Sequence, residues 1–132
     1  MPKKVILDTS FLMVSLEKGL DLLGELEKIL SVKVEPVILP PVVEELERLA
    51  SKGKPKVGRT ASFALKLAEK YVKVNVERRP GEPVDDYLAR VAGEMKLPVA
   101  TVDLKLKREL RRRGIPIAYL RGRRLELEGW WD

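Results

Sequence analysis

Residues 98–113 read PVATVDLKLKRELRRR, an apolar run that ends at Asp103 and continues into a stretch with helical spacing. The apolar part, Pro98–Thr101, is predicted to form a buried strand, and Leu104–Arg113 is predicted to form a helix that ends before a glycine. This arrangement places the Asp103 carboxylate at the carboxyl edge of a sheet. Ligands of open α/β sheets bind at that edge, so Asp103 is a candidate functional residue.

The same alternation of strand and helix extends along the whole chain. Short, uniformly apolar strands between helices are typical of a parallel sheet covered on both faces. The sequence therefore predicts a single α/β domain, residues 1–132, with three layers and about five parallel strands. Further strands are predicted at Val5–Leu7, Lys33–Leu39, Val72–Val76 and Ile115–Leu120, with a short edge strand within Arg123–Asp132. Further helices are predicted at Ser10–Glu17, Leu20–Leu30, Val42–Ala50, from Arg59 or Thr60 to about Lys70, and at Val84–Lys96, with a basic loop at Lys52–Gly58.

The residue types that are missing limit the possible chemistry. The chain has no cysteine and no histidine. This excludes disulfides, zinc–thiolate sites, thiol nucleophiles, Ser-His-Asp catalysis and paired-histidine catalysis. Any catalysis must therefore use carboxylates, hydroxyls, Lys or Arg, and a bound ion.

The N-terminus and the composition predict a cytoplasmic protein. Val5–Leu7 is too short and too early for a signal peptide, and no apolar stretch approaches the length of a membrane span. We therefore expect no membrane contact. Lys, Arg and Glu are abundant, Gln is absent and Asn75 is the only Asn, a composition typical of thermophiles.

Positive charge is concentrated towards the C-terminus. The net charge is +6, and residues 104–124 contain nine basic groups and one acid, or +8, which leaves −2 for the rest of the chain. Such a stripe favours phosphate binding through counterion release and steering, although a solvated helix face is the plainer alternative. We expect the stripe to contact nucleic acid. Its basic residues are Lys105, Lys107, Arg108, Arg111, Arg112, Arg113, Arg121, Arg123 and Arg124.

Acidic residues stand at four predicted helix starts. Asp8 and Asp103 follow strands, and the pairs Glu44-Glu45 and Asp85-Asp86 lie in first helical turns. Each acid alone is explained by helix capping or by the helix dipole. All four helix starts are nevertheless expected on one edge of the sheet, where converging carboxylates repel one another unless a hard cation neutralises them. The four together predict a divalent metal site.

Periodicity selects between the acids in only one of the two pairs. Glu45 lies three residues after Val42, at an inward-facing position, whereas Glu44 is predicted to be solvated. For Asp85 and Asp86, the spacing alone leaves the choice open.

Four short motifs occur in order along the chain. They are Asp8-Thr9-Ser10, Val42-Val43-Glu44-Glu45-Leu46, Asp85-Asp86-Tyr87-Leu88-Ala89 and Ala100-Thr101-Val102-Asp103. This ordered set resembles the four acidic motifs of PIN-domain nucleases, and the resemblance covers nearly the whole chain. The second half is similar to the PIN nucleases of eukaryotic small-subunit pre-rRNA processing. The short single-domain form resembles VapC-type toxin ribonucleases.

The resemblance implies a PIN-like fold and a Mg²⁺- or Mn²⁺-dependent endoribonuclease, active in RNA processing or as the toxin of a toxin–antitoxin pair. It also selects Asp86 over Asp85, because the acid of the motif precedes Tyr87-Leu88. RNA is the implied substrate, and an antitoxin-like protein and a second copy of the chain are implied partners. The implied site has one or two metal ions on Asp8, Glu45, Asp86 and Asp103, with Ser10 and Thr101 as supporting hydroxyls.

One position departs from the family pattern. Many relatives have a further acid two residues after the last aspartate, where this chain has Lys105. The lysine disfavours a second tightly held metal and places a cation at the mouth of the site. It keeps open the alternative of a non-catalytic PIN-fold module for RNA binding or ribosome assembly. A phospho-accepting receiver domain is disfavoured, because Asp8 is a single acid and Val72–Val76 ends in Glu77.

Two adjacent tryptophans, Trp130 and Trp131, lie near the C-terminus. Adjacent indoles can stack bases, cover a core or become buried in a dimer. We expect packing in the core or in a dimer.

Overall fold

The computed structural model describes residues 1–131, which form six strands and six helices. Asp132, the last residue of the predicted edge strand and domain, lies outside the described residues. The strands are β1 (Lys3–Leu7), β2 (Val34–Ile38), β3 (Val72–Lys73), β4 (Val99–Ala100), β5 (Ile117–Arg121) and β6 (Arg124–Glu128). The helices are α1 (Thr9–Glu17), α2 (Leu22–Leu30), α3 (Pro40–Lys52), α4 (Pro55–Ala68), α5 (Val84–Met95) and α6 (Leu104–Arg112).

The strands form one mostly parallel sheet in the order β3-β2-β1-β4-β5-β6. The predicted α/β class is confirmed, but the sheet has a sixth strand, because β6 pairs antiparallel with β5. The hairpin between them has a two-residue loop, since Arg121 pairs with Arg124. Its first residue, Gly122, has φ +65°, a conformation that two-residue hairpins require and that glycine adopts without strain.

The centre of the sheet brings two sequence-distant aspartates to the same edge. β1 and β4 are parallel neighbours, with Leu7 opposite Ala100. Asp8 follows β1 and begins α1, and Asp103 begins α6 shortly after β4. Since the chain leaves β1 for β2 on one side and meets β4 on the other, this edge lies at the switch point of strand order.

Helices α3 and α4 form a tight antiparallel hairpin. The predicted basic loop at Lys52–Gly58 is much shorter in the structure, because Pro55 begins α4 and only residues 53–54 separate the helices. Proline suits this first turn, where its missing N–H has no helical partner. A Cβ at Gly58 would lie 3.2 Å from the Ala50 carbonyl oxygen, so the absent side chain permits the close approach.

The core lies on both faces of the sheet, as the uniformly apolar strands predict. Val5, Ile6 and Leu7 of β1 are fully buried, as are Val99 and Ala100 of β4. Within residues 1–131, no helix is both long and apolar enough to cross a membrane.

Candidate functional site

The Asp8 carboxylate is the most constrained acid at the carboxyl edge. Its Oδ2 accepts hydrogen bonds from the hydroxyls of Ser10, at 2.7 Å, and Thr101, at 2.8 Å. The pKa of Asp8 is raised, first because burial disfavours the charged form and also because Asp103 repels it. The two hydroxyl hydrogen bonds act in the opposite direction without cancelling this rise.

The hydroxyls of Ser10 and Thr101 also accept hydrogen bonds from the backbone of the segment that follows β4. The Ser10 Oγ accepts from the Val102 N–H at 3.1 Å, and the Thr101 Oγ1 accepts from the Asp103 N–H at 3.0 Å. Each hydroxyl has a single proton, which it donates to Asp8, so the 3.2 Å approach between the two oxygens is not a further hydrogen bond. The hydroxyls predicted from the sequence therefore lie on Asp8 and present donors to an ionised carboxylate.

Asp103 has a structural task as well as a place at this edge. Its Oδ1 accepts from the backbone N–H groups of Lys105, at 2.8 Å, and Leu106, at 3.3 Å, and so caps α6. The side chain is exposed, and its charge acts on Asp8. The capping interpretation and the site interpretation therefore apply to the same residue.

The third acid at this edge is Asp85. The pKa of Asp85 is raised, first by burial and then by the charges of Asp103 and Asp8, while Lys105 lowers it. The neighbouring acid, Asp86, has a different partner: its Oδ1 lies 3.8 Å from Nη2 of Arg113, the residue that follows α6. Asp85 is thus the acid of the pair on which the charges of Asp103 and Asp8 act, while the role of Asp86 as a metal ligand stays a prediction.

The helical spacing also bears on the choice within this pair. Leu88, Ala89 and Ala92, all buried, follow Asp85 at three, four and seven residues and share its face. The corresponding positions after Asp86 include Arg90 and the exposed Gly93. The buried face of α5 therefore carries Asp85 towards the sheet edge.

Glu45 lies apart from the three aspartates. It forms an ion pair with Arg48 at 3.2 Å, and its side chain is 44% exposed. Within residues 1–131, it makes no hydrogen bond or ion pair with Asp8, Asp85 or Asp103. Glu45 belongs to α3, which follows β2. Because β2 is the neighbour of β1, the start of α3 lies next to the end of β1, where Asp8 stands.

The donor set suits a hard divalent cation. Carboxylate oxygens are preferred ligands of Mg²⁺ and Mn²⁺, and the mutual repulsion of Asp8, Asp85 and Asp103 is the kind that a cation relieves. In the described part of the chain, no three acids already lie close enough to hold a metal ion. A shared ion would draw the carboxylates closer than they now are.

The loop before α5 is fastened to the helix that carries Asp85. The Arg90 guanidinium donates two hydrogen bonds to the Glu82 carboxylate, at 2.8 and 2.9 Å, and one to the Glu77 carbonyl at 3.0 Å. The Tyr87 hydroxyl donates to the Val76 carbonyl. The pKa of Glu82 is lowered to about 2, chiefly by the hydrogen bonds from Arg90.

Several members of the predicted basic stripe bind acids of the protein itself. Arg111 pairs with Glu128 at 2.7 Å, and Arg112 pairs with Glu109 at 2.5 Å. Arg113 approaches Glu109 as well as Asp86, and Arg121 pairs with Glu126 at 3.0 Å. The Lys107 ammonium lies 3.4 Å from the centre of the Tyr119 ring. In residues 1–131, Lys105, Arg108, Arg123 and Arg124 make no ion pair.

The two tryptophans have different environments. Trp131 is partly buried against the core and donates its indole N–H to the Glu128 carbonyl at 3.1 Å, as expected for core packing. Trp130 is 82% exposed.

The chain is similar to a known protein family over most of its length. The family described as "PIN like domain" matches residues 5–123. The human "rRNA-processing protein FCF1 homolog" is 33% identical over 133 aligned residues, which cover 96% of this chain and 62% of that protein. "Ribonuclease VapC4" of Methanocaldococcus jannaschii is 33% identical over 123 residues, or 89% of this chain and 90% of that protein.

A solved structure is similar over almost the full length. The structure of the PIN domain endonuclease Utp24 has a TM-score of 0.78 and 30% identity, and the match covers 99% of this chain and 95% of that chain. This chain spans about 62% of the length of the FCF1 relatives that it matches. The family match extends over most of the described residues, and the relatives include named ribonucleases. The chain therefore belongs to the PIN-domain family.

Proposed function

We propose that this chain is a Mg²⁺- or Mn²⁺-dependent endoribonuclease whose metal-binding acids are Asp8, Asp85 and Asp103. The observation that carries the proposal is electrostatic: burial and the charge of Asp103 raise the pKa of Asp8, and Asp85 responds to both of the other acids. A protein gains no stability by leaving acids together in this way. The arrangement is explained if the three acids bind a cation.

The chain's own residues have defined tasks in this proposal. Ser10 and Thr101 orient the Asp8 carboxylate and favour its ionised form, because each donates its only proton to Oδ2. Asp103, held by the first turn of α6, is positioned by the backbone. One or two divalent ions would activate the attacking water and offset the negative charge that develops during phosphodiester hydrolysis.

Glu45 is proposed as an outer acid of the same site. It is not joined to the three aspartates, but rotation away from Arg48 would free its carboxylate at modest cost, since an exposed ion pair contributes little stability. Asp86, the acid selected by the motif resemblance, is proposed to support Arg113 rather than the ion.

Lys105 is proposed to contact a phosphate of the RNA. Its charge lowers the pKa of Asp85, which places it near the acids, and its side chain is exposed. The remaining eight basic residues of the stripe would hold the RNA backbone, with the least contribution from those already paired with acids of the protein, which gives affinity without reading sequence.

A non-catalytic RNA-binding or assembly module remains the second candidate. The observation that favours it is the absence of a ready-made group of three acids for a metal within residues 1–131. Among relatives, the printed names include both ribonucleases and rRNA-processing proteins. Either RNA processing or a toxin role fits the proposal, and an antitoxin-like partner and a homodimer belong to it.

The deciding experiment is digestion of an end-labelled RNA by wild type in Mg²⁺, in Mn²⁺ and in EDTA. We expect internal cleavage with either metal and none in EDTA. The Asp8→Asn variant, which keeps the shape and the hydroxyl hydrogen bonds, should not cleave. RNA that binds wild type but stays intact with both metals would support the non-catalytic module instead.

A further inference from the structure

The outer face of the α3–α4 hairpin carries a groove, formed by a part of the chain that contains none of the three aspartates. The groove has a volume of about 520 Å³, and its charged lining residues, Arg59 and Lys66, are both basic. Phe63 lies between them on α4, and its side chain is 54% exposed. The buried side of the same helix uses small residues, Ala61 and Ala64, so the aromatic ring does not belong to the core.

The charges around this groove are free of partners. Residues 51–70 contain six basic groups and one acid, a net charge of +5. Within residues 1–131, none of these six makes an ion pair, in contrast to the α6 arginines, which bind Glu109 and Glu128. The basic groups of the segment are Lys52, Lys54, Lys56, Arg59, Lys66 and Lys70.

The spacing along α4 places the aromatic ring between two cations on one helix face. Arg59 precedes Phe63 by four residues, and Lys66 follows it by three, so the three side chains form one row. An exposed ring flanked by unpaired cations suits a single nucleic-acid strand, because a base stacks on the ring while neighbouring phosphates meet the cations. A run of acidic side chains alone would satisfy the cations but would offer no planar ring to stack on Phe63.

The geometry points to the α3–α4 groove as a second RNA-binding surface, on which Phe63 stacks a base and Arg59 and Lys66 hold the adjacent phosphates. This deepens the proposed function, since it takes RNA as the bound polymer. α3 starts at the carboxyl edge of the sheet and its 13 residues extend about 20 Å, so its C-terminal end, where Ala50 lines the groove, lies well away from that edge.

Binding of fluorescein-labelled 20-nucleotide oligo(A) and oligo(U), measured by anisotropy in EDTA, tests the surface without cleavage. Phe63→Leu keeps an apolar side chain but removes the ring. We expect it to weaken binding by about 5- to 100-fold, the range for loss of one stacked base. Phe63→Tyr should stay within about 2-fold of wild type. Arg59→Gln with Lys66→Gln should flatten the plot of log K against log[salt] by about 1.4, or about 0.7 for each lost phosphate contact on a single strand.

Two controls separate stacking from general effects. Ile29→Ala removes a comparably exposed apolar side chain from α2, and should leave RNA binding unchanged. An abasic oligonucleotide of the same length offers phosphates without bases, so wild type and Phe63→Leu should bind it equally. Thermal melts verify that each variant is folded.

The outcomes distinguish this inference from the proposed function. Equal RNA binding by wild type and Phe63→Leu would overturn the inference, even if wild type cleaves RNA with a metal. A second result would also overturn the inference: polyglutamate binds wild type but not Phe63→Leu, while RNA binds both equally. The groove would then be assigned to an acidic protein. If wild type never cleaves RNA but Phe63→Leu binds RNA more weakly than wild type, the groove is upheld and the proposed nuclease activity is refuted.

Discussion

Two groups of charged side chains lie on or beside α5, and they differ in how their acids are treated. At the start of the helix, Asp85 shares the sheet edge with Asp8 and Asp103, and the pKa values of Asp8 and Asp85 are raised. Further along, Arg90 binds Glu82, and the pKa of Glu82 is lowered to about 2. Around α5, Glu82 is thus neutralised by an arginine of the protein, whereas Asp85 lies with two other acids. These three acids are the group that the proposed cation would neutralise.

The two groups have opposite effects on stability as pH changes. A raised folded-state pKa, as at Asp8, gives stability that is present below the unfolded value of 3.8 and is lost as pH rises through the folded pKa. A lowered pKa, as at Glu82, gives stability that is present above 4.5 and is lost as pH falls towards about 2. At neutral pH the aspartates therefore weaken the metal-free fold, while Glu82 strengthens it.

The largest expected effect comes from neutralising the central acid. Asp8→Asn should lower the rate of RNA cleavage by about 1,000-fold or more, because loss of the metal removes several kcal/mol of transition-state stabilisation. The same change should leave the metal-free protein as stable as wild type or more stable by about 0.5–2 kcal/mol at pH 7. Cleavage assays and urea unfolding in EDTA measure the two effects.

Metal binding provides the control for that variant. Millimolar Mn²⁺ should raise the melting temperature of wild type by mass action and raise that of Asp8→Asn much less. An equal response of the two proteins to Mn²⁺ would show that the acids at the sheet edge do not hold the ion.

The next effect separates two adjacent acids. Asp85→Asn should lower cleavage by about 100-fold or more, whereas Asp86→Asn should retain activity within a few-fold, because the charges of Asp8 and Asp103 act on Asp85 while Asp86 lies against Arg113. Both changes preserve side-chain shape and lie in the same helical turn, so each is the other's matched control. If Asp86→Asn is the inactive variant, Asp86 holds the metal, as the motif resemblance implies, and Asp85 does not.

The sequence predicted the sheet edge better than it predicted the side chains there. Asp8 and Asp103 follow short apolar strands, and parallel pairing of β1 with β4 brings them together as expected. The choice between Asp85 and Asp86 depended on the rotation of α5, which the buried residues after them decide. A motif in which both positions are acidic does not encode that rotation.

The distribution of usable positive charge was harder to predict. A count of basic residues favoured 104–124, but that count does not show that Arg111 and Arg112 bind acids, one of them Glu128 on β6. The basic face of α4 was not predicted, because Lys52–Gly58 was expected to be a loop. In the structure, Pro55 begins a helix. Tertiary pairing, which spans distant parts of the chain, decides which cations remain free.

A smaller effect is expected from the neutralised acid. Glu82→Gln should remove the part of acid unfolding that lies between pH 4.5 and about 2, and should reduce stability at neutral pH, because Arg90 loses a charged partner. Unfolding free energies measured from pH 2 to 7 test this. Glu94→Gln removes a more exposed partner of the same arginine and should change the profile less. Equal profiles for wild type and Glu82→Gln would contradict the role of this pair.

The smallest effect concerns the paired arginines of α6. If pairing were irrelevant, alanine at Arg111, Arg112 and Arg113 would remove three phosphate contacts and flatten the salt dependence of RNA binding by about 2 on a single strand. Because Glu109 and Glu128 already compete for these arginines, we expect a change of about 0.7 or less, nearly equal for all RNA sequences. Glu128→Gln is the converse test: it frees Arg111 and should steepen the slope by up to about 0.7. Titrations of labelled RNA between low and moderate salt measure both slopes. A slope that falls by about 2 in the triple variant and does not respond to Glu128→Gln would show that RNA displaces the internal acids at no cost. Pairing within the fold would then be no guide to which cations meet the substrate.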